Sequence, residues 1–174
     1  MNLWESFDKN EISILIMLIV AYALIYILPR KYKRDITLLY LIFGFTIGVV
    51  FDFTIGGGII DFYTLNDSQR YQLFDFLYYL LFAPFCYLFV YLYDTFHINK
   101  KTFIVYIMAW ALIGVGMQWM FTLLNIIEFK KDFRIPYSFA IFLTTQTITA
   151  LYYELVSQKG NILRKAKRST RIHS

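Results

Sequence analysis

Apolar residues gather in five long blocks, residues 12–28, 36–55, 71–93, 102–127 and 136–156, and most charges fall in the gaps between them. Each block runs 17 to 26 residues, close to the about 20 helical residues that a hydrocarbon core requires. The runs are continuously apolar, whereas strands of a membrane barrel alternate over about 10 residues. The pattern therefore predicts an all-α fold, a polytopic transmembrane bundle of five helices. Pro29 closes the first block and Pro136 opens the fifth, where a missing N–H costs nothing. An arm over residues 1–11 precedes the bundle at 12–156, and a basic tail over 157–174 follows it. No internal repeat is visible, and five spans do not divide into two inverted halves.

The charge pattern predicts an orientation. Arg30, Lys31, Lys33 and Arg34 follow the first block as a stop-transfer signal, while Glu5, Asp8 and Glu11 precede it against Lys9. A secretory signal has the opposite order. Threading the chain through five crossings puts 12 of the 17 basic residues on the side of the C-terminus. The positive-inside rule makes that side cytoplasmic. The expectation is a cell-membrane protein, N-out and C-in, with the Lys130, Lys131 and Arg134 loop as its one contrary segment.

Composition narrows the class further. Hydrophobic residues make up 59% of the chain, charged residues 17%, and mean hydropathy is +0.53, leaving no segment that could bury a separate soluble core. The single cysteine, Cys86, excludes an internal disulfide or a cysteine metal cluster. His97 and His173 are the only histidines and lack partners in sequence, so neither a metal nor any other cofactor is expected. The basic tail, with Arg164, Lys165, Lys167 and Arg168, suits lipid headgroups at about 1 kcal/mol per residue. Its simpler role is to hold the C-terminus inside. Nucleic acid is not an expected partner of so short a tail against a membrane.

Three groups of residues stand out as candidates. In the second block Gly44, Gly48, Asp52 and Gly56 recur every four residues and share one helix face. The Gly44-Phe-Thr-Ile-Gly48 pair lets another helix approach closely, either within the bundle or in a homo-oligomer. Asp52 and Asp75 lie near the outer ends of the second and third blocks, about 5–6 Å below the boundary at 1.5 Å per residue. Facing each other, they would bind a cation or share a proton; otherwise they reach headgroups or pair with Arg70 or Arg134. The Gly56-Gly57-Gly58 turn lies beside Asp52.

The third group is polar and deeper. Gln118 in the fourth block and Thr144 to Thr147 in the fifth are expected about 12–14 Å below the outer boundary. Pro84 frees the carbonyl of Leu80 in the third block. A hydrogen-bonded layer of Gln118, the run Thr144, Thr145, Gln146 and Thr147, and that carbonyl would act as interhelical glue at about 0.6 kcal/mol per bond, or Gln118, Thr144 and Thr147 would form part of a ligand or proton site.

Short strings carry a family resemblance: Tyr26-Ile-Leu-Pro-Arg-Lys31, Gly48-Val-Val-Phe-Asp52, Ala83-Pro84-Phe85, Ala109-Trp110 and Gln118-Trp119. Together they resemble a group of small five-span membrane proteins of Bacillus- and Clostridium-type spore-forming bacteria. That group has no assigned reaction, so the resemblance implies a source and a location only. Paired aspartates also occur in membrane aspartyl proteases, but the glycine-flanked context is missing at Asp75. Without a nucleophile–base pair or a phosphate-binding loop, the expected function is a non-catalytic membrane component that packs with itself or with a membrane protein partner. Binding or transport of a small solute or cation through Asp52 and Asp75 is the competing expectation.

Overall fold

The computed structural model describes residues 8–56, 59–65, 73–130 and 133–172, with side chains through Gln158. Gly57, Gly58, Arg70, Lys131 and the side chains of Arg164, Lys165, Lys167 and Arg168 lie outside the described residues. Among the described residues five helices form: α1 (Lys9–Ile27), α2 (Arg34–Ile55), α3 (Leu73–Thr95), α4 (Phe103–Leu123) and α5 (Ile135–Ile172). Two short strands, β1 (Tyr63–Leu65) and β2 (Ile127–Phe129), join them. The helices α1 to α4 are long and apolar enough to cross a membrane. α5 is more polar, because its Thr-rich stretch leads into the basic C-terminal segment.

Local chemistry explains the helix ends. α1 starts before the apolar block because the Asp8 backbone N–H donates to Glu11 Oε2 at 2.9 Å, half of a capping box. So residues 9–11 belong to the helix rather than to a separate arm. Leu28 turns extended, with ψ at 139°, as a residue before proline prefers. α4 stops at Leu123, four residues short of the expected 127, because Asn125 takes a left-handed φ of 56°. The chain then extends into β2, and α5 runs on through most of the expected tail.

β1 and β2 pair antiparallel, with Tyr63 opposite Phe129 and Leu65 opposite Ile127. This ribbon ties the α2–α3 link to the α4–α5 link, a long-range pairing that hydropathy does not announce. Lys130 extends the tie: its N–H donates to the Phe62 carbonyl at 2.8 Å, and its Nζ lies 3.2 Å from Asp61 Oδ1. The end of the bundle that carries it is the ribbon end; the opposite end, with Arg30 to Arg34, is the basic end.

α3 is the centre of the bundle, packed against α1, α2 and α5, while α4 pairs with α5. Its buried side chains include Tyr78, Tyr79, Tyr87, Tyr91 and Tyr93. Two aromatic cores result, one around Tyr40, Phe89, Tyr106 and Tyr153, the other around Tyr63, Tyr78, Leu81 and Phe121. Pro84 sits buried inside α3, and the Leu80 carbonyl that it frees accepts from the Tyr22 hydroxyl of α1 at 3.3 Å.

A polar knot fastens the basic end. Asp94 of α3 accepts from Lys31 Nζ at 2.8 Å, from the Tyr153 hydroxyl of α5 at 2.9 Å and from the Tyr32 hydroxyl at 3.3 Å. Burial, then the Asp94 charge beside it, holds the Tyr32 phenol far above its ordinary pKa, so it remains a donor. The Lys31 and Asp94 side chains are about a third exposed, which limits the ion pair itself to about 1 kcal/mol. Asp94→Ala is expected to cost about 1–2 kcal/mol, since the tyrosine bonds go with it. Only the ion-pair share should shrink between low and high salt when melting is followed in detergent.

Candidate functional site

The glycine face of α2 points at α3. A Cβ on Gly44 would lie 2.5 Å from Cys86 Cβ and 2.6 Å from the Phe82 carbonyl oxygen; one on Gly48 would meet the Phe82 ring at 2.7 Å. The G-x-x-x-G surface is therefore occupied within the molecule and is not open to a second copy. The same face carries Asp52, 3% exposed, whose Oδ2 accepts from the Tyr79 hydroxyl at 2.6 Å. Tyr63 of β1 hydrogen-bonds to this carboxyl group as well. Burial and then the neighbouring Tyr78 and Asp52 raise the Tyr63 phenol well above its usual pKa, so it too stays a donor. Oδ1 of Asp52 has no hydrogen-bond partner among the described residues. Gly56 closes over it, since a Cβ there would lie 2.5 Å from Oδ1.

Asp75 is also buried. It sits one turn from Tyr79 on the same face of α3, and it has an interaction of its own. What holds Asp52 is thus a pair of tyrosines rather than the second carboxyl. Neither tyrosine was singled out in the sequence. The four-residue spacing of Asp75 and Tyr79 was the available signal.

The threonines of the expected polar layer bond within their own helix. Thr144, Thr145 and Thr147 donate to the carbonyls four residues back in their own helix, Ala140, Ile141 and Leu143, at 2.8–3.0 Å, and Thr144 is exposed. Gln118 lies five residues from the end of α4, only about 7–8 Å from it, because the helix stops early. The Leu80 carbonyl belongs to Tyr22. Gln118 instead lines a cavity of about 80 Å³ with Gln146.

Six elements build that cavity, the two strands included. Phe51 of α2, Tyr78 and Phe82 of α3, Trp110 and Gln118 of α4 and Gln146 of α5 contribute, with Tyr63 closing the ribbon end. Gly114 also lines it, and a Cβ there would meet the Phe142 ring at 2.7 Å. Gln118 is 3% exposed, and its Oε1 has no hydrogen-bond partner among the described residues. Such an orphan costs about 1–3 kcal/mol. A cavity of this size admits several waters or a small fragment. Among the described residues no group of His, Cys, Asp and Glu could hold a metal ion. No family model, no curated protein and no solved structure matches this chain.

Proposed function

We propose that this protein is a non-catalytic integral membrane protein of five crossings, N-out and C-in, that binds a small apolar molecule in the cavity beneath its ribbon. The single observation that carries this reading is the Gln118 Oε1, unpartnered among the described residues and set in an aromatic wall. An apolar cavity with few polar groups is the usual form of a small-molecule site. The ligand class is a one-ring compound, or the apolar end of a longer one, with a hydrogen-bonding group for Gln118. α5 supplies the fifth crossing, and the excess of basic residues at the C-terminal side supports the orientation. A cation site at Asp52 and Asp75 has less support, since tyrosine hydroxyls engage Asp52 and Gly56 covers it.

Gln118→Leu separates binding from glue. Were the amide structural, the variant would melt lower. On the binding reading it melts at least as high as the wild type, because an apolar side chain removes the orphan. Phenol should raise the melting temperature of the wild type in detergent saturably, and more than its isostere toluene. Gln118→Leu should lose that difference. Equal, non-saturating responses to both compounds in the wild type would remove the proposal.

A further inference from the structure

We infer that the groove between α1 and α2 at the basic end is a binding site for one anionic phospholipid. α1 and α2 each pack on α3, and between their basic ends lies a groove of about 470 Å³. Its walls are apolar, with Ile25, Leu38 and Leu41 among them, and Arg30 and Arg34 also line it. Neither arginine has an ion-pair partner among the described residues, whereas the neighbouring Lys31 is engaged by Asp94. Asp35 also faces the groove, so its charge is two guanidinium groups against one carboxylate.

An acyl chain is the natural occupant of the walls, because these helices are apolar enough to lie in lipid. Charge complementarity selects the headgroup. Two guanidinium forks match phosphate oxygens bidentately, and the surplus positive charge favours a headgroup with a net negative charge over a zwitterion. Covering the groove would also bury part of the surface where Tyr26 and Leu38 stand 87% and 57% exposed.

The test uses the full chain in a neutral detergent, with melting and native mass spectrometry read against added lipid. Dioleoyl phosphatidylglycerol should bind saturably, with one molecule retained in the gas phase, at least fivefold tighter than dioleoyl phosphatidylcholine. Arg30→Gln/Arg34→Gln should abolish that preference. Both positions are exposed, so folding is not at stake. Leu38→Trp, which fills the groove and keeps both charges, should weaken both lipids. A tail variant, with Gln at Arg164, Lys165, Lys167 and Arg168, should keep the preference. The inference fails if the tail variant loses it, if the arginine variant keeps it, or if inorganic phosphate alone reproduces the shift.

Discussion

Gly44→Ala is expected to lower the stability of the bundle by about 1–3 kcal/mol, the range for overpacking a filled interior, and Gly44→Leu to prevent assembly of the α2–α3 pair. The added methyl would lie 2.5 Å from Cys86 Cβ, 2.6 Å from the Phe82 carbonyl oxygen and 3.0 Å from Ala83 Cα. None of these atoms moves by a change of rotamer, so the two helices must separate. The gain in helix propensity from glycine to alanine, about 0.5–1 kcal/mol, does not offset this. Gly48→Ala meets mainly the Phe82 ring, which can swing, and should cost less. Gly116→Ala provides the control: it finds nothing within 4 Å and should be neutral or slightly stabilising. Melting of the four variants in detergent gives the order directly. A Gly44→Ala protein that melts with Gly116→Ala would show that α2 does not approach α3 this closely.

How much of this was legible in the sequence depended on the range of the interaction involved. Block hydropathy announces helices because each satisfies its own backbone hydrogen bonds, so α1 to α4 were readable to within a few residues. The period of four from Gly44 to Gly56 announced a shared face, and that face lies on α3. The ribbon was not legible. Ile127 ends the fourth apolar block and Glu128 and Phe129 follow it in the charged gap, and only their pairing with Tyr63 to Leu65, more than 60 residues away, makes the three a strand. α4 ends at Leu123, so Gln118 lies nearer its helix end than the block implied, and its Oε1 finds no partner among the described residues. The threonines expected beside it found carbonyls in their own helix, a local alternative always open to Thr. The cavity was beyond reach as well, because six separate elements line it.

Replacing Asp52 by alanine is the second large effect expected, and it tests the polar centre at the ribbon end. The carboxyl group is the acceptor for the Tyr79 hydroxyl at 2.6 Å and a partner of Tyr63, and these two tyrosines are 6% and 1% exposed. Removing the acceptor deprives two buried hydroxyls of their carboxylate at once, at about 1–3 kcal/mol each. Asp52→Ala should therefore cost more than Tyr79→Phe, which leaves the Tyr63 contact standing. The double variant isolates the pair. Polar pairs between membrane helices average about 0.6 kcal/mol and reach about 1.7. A short bond that water does not reach should fall at the upper end, above about 1 kcal/mol. A coupling of only a few tenths would mean that each single variant acts through packing alone. The effect should also spread: Tyr63 belongs to β1 and to the wall of the cavity, so losing its anchor at Asp52 loosens the ribbon over Gln118. Asp52→Ala should consequently weaken the phenol response as well as stability, whereas Asp94→Ala, at the basic end and with none of its partners Lys31, Tyr32 and Tyr153 in the cavity wall, should lower stability and leave that response in place.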